Sequence, residues 1–392
     1  MRLSATTRPS HEVVPLRRVA LEWGRIGLTG FGGPPALLSL LRRLCVDDNG
    51  WLSSAEFEDA VASASLLPGP AALQVAIFCG WKVRGAWGGI VGGVCFTLPG
   101  LILILALAVV FLSEHPPALV LGAAAGAGAA VPAVAVDAAS QLVPASWGRI
   151  GDSRAQRARW IGYAGVGAAA AALLGPYLVL VLLACGATEA VVRARGRRGE
   201  GGSARLSAVL VPLAAGGGLL ALGWTAFKVG ALAYGGGFVI IPLMQADAVS
   251  VHHWMTAGQF LAAVALGQIT PGPVVQTVAV VGYAAAGFAG AALATLVAFA
   301  PSFVFVLGGA KRFYALRRDR NAQAFLTGAG PATIGAIAGS SIPLGLSLSH
   351  VWQLVVLAGA ALWLFGARKG VVSALLLALL AGVVLAALGF PT

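Results

Sequence analysis

From Gly89 to Ser113 the chain carries no charged side chain, and the same is true of 206–224 and 287–309. A fourth apolar run, 117–143, is interrupted only by Asp137. Runs of this length reach the roughly 20 residues that a helix needs to cross a hydrocarbon core. Backbone in lipid must satisfy its own hydrogen bonds, which leaves helices or closed barrels. Apolar residues here are continuous rather than alternating, which selects helices. Composition agrees: 10% of the residues are charged and 58% hydrophobic, against about 25% charged in soluble domains. The chain therefore reads as an all-α, polytopic integral membrane protein. Residues 1–18 are polar and basic, without a cleavage-site pattern, and read as a cytoplasmic segment rather than a signal peptide.

A net charge of +12 would suggest nucleic acid in a soluble protein, but here the basic residues cluster in short loops beside apolar spans, as the positive-inside bias requires. Cys45, Cys79, Cys95 and Cys185 are scattered without metal or disulfide spacing. His11, His115 and His350 are isolated, and the adjacent His252 and His253 have poor geometry for one shared metal on a helix. No nucleophile–base constellation is visible. The expectation is a protein that is not an enzyme, with no cofactor, no metal and no nucleic-acid partner.

The chain also repeats itself. Phe31-Gly32-Gly33 aligns with Tyr234-Gly235-Gly236 at an offset of 203, which also pairs Arg25 with Lys228, Trp51 with Trp254, and Pro68-Gly69-Pro70 with Pro271-Gly272-Pro273. After one lost residue, an offset of 202 joins Gln74 to Gln276, Gly85 to Gly287 and Pro99 to Pro301. An ordered series with one gap is a tandem duplication. Ser53-x-x-Glu56 and Thr256-x-x-Gln259 are capping boxes at matching places, each opening a short helix that ends at a Pro-Gly-Pro break.

Loop charges give the orientation. Arg42, Arg43, Lys82, Arg84 and the run from Arg149 to Arg159 have second-half counterparts without Lys or Arg, whereas Lys311, Arg312, Arg317, Arg318, Arg320, Arg368 and Lys369 answer first-half loops that lack them. The positive-inside rule then sets the two copies upside down relative to each other. The expected layout is a cytoplasmic segment at 1–18, a first repeat at 19–192 and a basic cytoplasmic linker at 193–205. A linking transmembrane helix at 206–224 and an inverted second repeat at 225–392 complete it. Inverted-topology repeats mark secondary transporters, with broken or re-entrant helices meeting near the membrane midplane.

Irregular backbone at membrane depth must be buried by protein or line a polar cavity. Each copy has two such breaks: Gly32-Gly33 with Gly69-Pro70, and Gly235-Gly236 with Gly272-Pro273. A helix starting just after a break presents free N–H groups and its positive dipole end to an anion. The plainer alternative is close helix packing at Gly-Gly and a simple turn at Pro-Gly-Pro. Arg25 and Lys228 are cations within apolar segments, and intramembrane charge defaults to function; snorkelling to an interface is the competing account of Arg25, which has Glu22 nearby. Gln74 and Gln276 offer amide hydrogens to an oxyanion or, alternatively, glue helices together. Asp137 is a candidate for proton coupling or a water-facing carboxylate.

At "FGGPPALLSLLRR…GWLSSAEFEDAVASASLLPGPAALQVAIFCGWKVRGAWGG" and "FKVGALAYGGGFVIIPLM…WMTAGQFLAAVALGQITPGPVVQTVAVVGY" the chain resembles the chromate ion transporter family in its long, two-domain form. The resemblance covers nearly the whole chain. It implies efflux of chromate, a tetrahedral dianion shaped like sulfate, across a bacterial inner membrane, coupled to membrane potential or a proton gradient. Uptake of sulfate or another oxyanion by proton symport, and an anion channel, are the alternatives. The partners so implied are a small oxyanion and membrane lipid, with a homodimer as a compatible assembly. Family members carry a histidine shortly after Phe-Gly-Gly-Pro, where this chain has Leu37.

Overall fold

A computed structural model describes residues 14–64, 67, 69–151, 153–195, 218–233, 238, 240–309 and 319–391. Among them are fourteen α-helices and no strand. The first half holds α1 (Leu16–Thr29), α2 (Gly33–Arg42, continued by wider π turns over Arg43–Asp48), α3 (Ser54–Ala64), α4 (Ala71–Phe111), α5 (Ala118–Trp147), α6 (Arg154–Leu173) and α7 (Leu178–Arg195). The second holds α8 (Leu219–Leu232), α9 (Ile240–Gln245, continued by π turns over Ala246–Val251), α10 (Ala257–Ile269), α11 (Thr277–Phe303), α12 (Arg320–Leu346), α13 (Val351–Ala361) and α14 (Val371–Ala387). Helices α8, α10 and α12 begin 203, 203 and 202 residues after α1, α3 and α5 (219 − 16, 257 − 54, 320 − 118). The duplication in the sequence is thus a duplication of helices. Most of the expected linker and linking helix, 196–217, lies outside the described residues. Helix α8 runs unbroken through 224, so no element boundary falls there.

Among the described residues three helical stretches are long and apolar enough to cross a membrane: Ala71–Phe111, Ala118–Trp147 and Val274–Gly308. Two of them are bent double. In α4 the backbone leaves helical geometry at Arg84 (φ −145°, ψ 24°) and Gly85 (φ 65°, ψ −158°), and in α11 at Ala286 (φ −157°, ψ 35°) and Gly287 (φ 59°, ψ −150°). Gly80 then lies against the backbone of Gly88, and Gly282 against that of Gly290. Residues eight apart on a straight helix would sit about 12 Å apart, so each stretch is a tight helical hairpin. Only glycine enters that turn at positive φ without strain.

Both hairpins receive a helix from their own half. Trp23 on α1 donates its indole N–H to the Ala76 carbonyl (2.9 Å) and stacks on Trp51 at 6.1 Å between centroids. Gly27 lets α1 approach the carbonyl of Phe96 on the far limb of α4; at the matching position Gly230 lets α8 approach Ala298 on α11. The later helices are exchanged instead. Helix α5 packs on α13 and α14, and α12 packs on α6 and α7. Gly126 faces Ala378 and Gly382, while its counterpart Gly328 faces Cys185 and Glu189. Small residues at such crossings allow the close backbone contact that drives helix association in lipid.

Candidate functional site

The duplicated breaks meet across the halves. Helix α10 opens with the expected capping box: Thr256 Oγ1 accepts the Gln259 N–H (3.2 Å) and Gln259 Oε1 accepts the Thr256 N–H (2.9 Å). It ends at Ile269, and the chain turns through Thr270-Pro271-Gly272-Pro273, with Gly272 at φ 105°. Buried Gln276 pins this turn by donating from Nε2 to Thr270 Oγ1 and to the Pro271 carbonyl, both at 2.9 Å. The Gly272 N–H donates to the carbonyl of Gly30 (3.1 Å), at the end of α1 and beside the first glycine break. Gly100, on the far limb of α4, faces Pro271 and Gln276, where any side chain would collide. The second Pro-Gly-Pro turn is therefore seated on the first half.

The first turn is seated on the second half in the same manner. Helix α3 is capped by Ser53 and Glu56, as its spacing predicts. Gly69 (φ 122°) lies against Gln74 and against Ser302 on α11, and Ser302 is the counterpart of Gly100 at an offset of 202. Among the described residues three helical segments start at these breaks, after Gly32, Pro70 and Pro273, and none has a side-chain cap. The N–H groups of Ala71, Ala72 and Leu73, and of Val274 and Val275, have no backbone acceptor among the described residues and can serve an anion; α2 offers only that of Gly33, because Pro34 and Pro35 follow it. Ser302 Oγ and Gln268 Nε2 are buried donors without an acceptor among the described residues, and Gln276 Oε1 is a buried acceptor without a donor. An orphaned buried polar group costs about 1–3 kcal/mol, and these three lie in or beside the two turns. Leu37, where the resemblance leads one to expect histidine, is fully buried and packs on Gly30.

The two matched cations are placed differently. Arg25 is exposed on α1 and forms no ion pair with Glu22. Lys228 on α8 is 9% exposed and forms an ion pair with Oδ2 of Asp247, which is 3% exposed. The same oxygen accepts the hydroxyl of Thr225, one turn before Lys228 (2.7 Å). Asp137 is half-buried on α5 and accepts from Gln141 one turn on (2.6 Å). Gly235 and Gly236 lie outside the described residues. The structure thus gathers Gly69, Pro70 and Gln74 with Ser302, and Gly272, Pro273 and Gln276 with Gly30 and Gly100.

Comparison with known proteins decides what this arrangement belongs to. A family model described as chromate transporter matches residues 17–190 and 220–387, a stretch in each half. The chain belongs to the chromate transporter family. It is similar to a chromate transport protein of Cupriavidus metallidurans (32% identical; 87% of this chain, 84% of the relative) and to one of Pseudomonas aeruginosa (31%; 88% and 91%). A probable chromate transport protein of Synechococcus elongatus is 28% identical over 95% of this chain and 96% of its own. No solved structure matches. Family membership and the apolar helices together make this a multi-pass membrane protein.

Within this chromate transporter family member, Asp247, Thr225, Ser302 and Gly100 escape a reading by repeats. Asp247 aligns with Leu44, Thr225 with Glu22, and Gly100 with Ser302, so pairing like with like passes over them. A signal did exist. Between Leu206 and Ala310 the chain has one acid, Asp247, and one base, Lys228. Two lone opposite charges in so apolar a stretch are each other's natural partners.

Proposed function

We propose that this protein is a secondary transporter that exports chromate across the inner membrane of a bacterium. Relatives named for chromate transport support the substrate. The observation that carries the mechanism is the exchange of the Pro-Gly-Pro turns: each half supplies the floor on which the other's turn rests, Gly100 under Pro271 and Ser302 under Gly69. A site built from both halves changes its exposure when the halves rock, which is what alternating access needs. Loop charges support an inverted arrangement of the two copies.

In this reading a tetrahedral dianion lies between the turns. It takes hydrogen bonds from the uncapped helix starts after Pro70 and Pro273 and from the Gly33 N–H, with Gly32, Gly69 and Gly272 letting the backbone approach. Gln74 and Ser302 complete the cradle. Lys228 supplies charge, Arg25 acts at the mouth, and Asp137 is a candidate proton carrier on the path. Efflux agrees with the energetics, because moving two negative charges out of a negative interior gains roughly 2 × 2.3 kcal/mol per 100 mV.

Counterflow of labelled chromate and sulfate in proteoliposomes tests the proposal. Saturable exchange that accelerates with an imposed outward-directed driving potential is expected. Sulfate-only exchange driven inward by a proton gradient would replace export by uptake, and non-saturable flux without counterflow would make the protein a channel.

A further inference from the structure

Asp247 is not among the groups that an anion site requires; a carboxylate repels an oxyanion. Its position is nonetheless specific. Oδ2 holds both Lys228 and Thr225, residues one turn apart on one face of α8. Both ions are almost wholly buried. Lys228 lies two residues before Gly230, which packs on Ala298; one turn beyond Ala298 on the same helix, Ser302 meets Gly69 of the first Pro-Gly-Pro turn. In the proposed site Lys228 is the cation that meets the dianion.

The fold does not require this pair. The first half builds the same helices with Arg25, Glu22 and Leu44 in place of Lys228, Thr225 and Asp247. Arg25 is exposed there and forms no ion pair among the described residues. Buried ion pairs are in general no more stabilising than well-packed apolar residues. Asp247 also stands in a π segment, where the His252 N–H reaches its carbonyl and both Trp254 and Met255 reach that of Ala248.

The geometry points to Asp247 as a stand-in for the substrate: it occupies Lys228 when no oxyanion is bound, and an arriving dianion displaces it. The freed carboxylate, beside a dianion in a water-poor site, takes up one proton from solvent, and the Lys228 ammonium passes its ion pairing to the oxyanion. No bond other than the new O–H forms. Few other charges compete. Helices α8, α9, α10 and α11 carry no charged side chain except Lys228, and the π segment after α9 carries only Asp247. Against that segment pack Gly175 and its neighbour Tyr177, whose ring is exposed. His252 stacks on Trp254. Of the neighbouring α7 and α12, the first bears Glu189, held by Arg159 and Arg193, and Arg195 at its end; the second bears only Arg320 at its start.

This inference rests on the proposed oxyanion site, and the test separates the two. Purified protein in weakly buffered detergent solution is titrated with chromate at alkaline pH, where chromate stays a dianion, and a pH indicator counts protons. The wild type is expected to take up close to one proton per chromate bound, so that affinity falls about tenfold per pH unit as pH rises. Asp247→Asn should bind without proton uptake and with a flat pH profile, and Asp247→Glu should restore both. Because Asp247→Asn strands a buried lysine, the double variant Lys228→Met/Asp247→Asn is the folded control, and its residual binding should also be proton-free. Wild type that binds chromate without proton uptake, or Asp247→Asn that takes up the same proton, overturns the stand-in role alone. Wild type that binds no chromate overturns the site and the stand-in together.

Discussion

Lys228 and Arg25 occupy the same place in the duplicated sequence yet differ in surroundings, and their substitutions should differ accordingly. Truncating one member of a buried charge pair typically costs on the order of 2–5 kcal/mol. Lys228→Met is expected to weaken chromate binding at least tenfold, about 1.4 kcal/mol, and Lys228→Arg to retain part of it. Arg25→Met, on an exposed face, should leave affinity near wild type; equilibrium binding measures both. Glu56 offers a pH-dependent case. The Ser53 backbone N–H and the Lys82 ammonium (3.0 Å) hold its carboxyl below the usual carboxylate range. A lowered value means that the stabilisation is present above the ordinary carboxylate range and is lost as pH falls through the lowered one. The difference in melting temperature between wild type and Glu56→Gln should therefore be visible at neutral pH and vanish in strong acid. Lys228 is legible in sequence as a lone cation; its partner is not legible through the repeat, because Leu44 stands where symmetry would look for an acid.

At the scale of helices, the starts and stops are written in local chemistry, and the seating of the turns is not. The capping boxes at Ser53 and Thr256 and the Pro-Gly-Pro breaks locate α3 and α10 from sequence alone. Basic Lys82 and Arg84 mark a loop in the first half, which the structure compresses to two residues around Gly85. The contact of Gly100 with Pro271 has no sequence signature, because it joins elements about 170 residues apart (271 − 100). Overpacking a tight contact costs about 1–3 kcal/mol. Gly100→Ala should accordingly cut chromate counterflow by about tenfold or more through displacement of the second turn, with helical content unchanged by circular dichroism. Gly223→Ala, which meets nothing within contact distance, should transport normally.

For the whole molecule, duplication and hydropathy make the architecture legible, and loop charge makes its inversion an expectation. Single cysteines at Arg195 and at Gly345, in a background lacking the four native cysteines, test it with a membrane-impermeant thiol reagent. Labelling from opposite sides is expected; labelling of both from one side would sink the inversion. The exchange of late helices was not legible, because Gly122, Gly126 and Gly328 look alike whichever partner they meet.

That exchange has a consequence for biosynthesis. Helices α6 and α7 leave the ribosome well before α12, the helix that fills the groove between them, has been made. The nascent first half must wait in the bilayer with glycine-lined faces uncovered, a state open to quality-control proteases. Severing the chain between 196 and 217 should then give two fragments that are each degraded when expressed singly and that rescue one another when expressed together. Pulse-chase of the separate and paired fragments measures it.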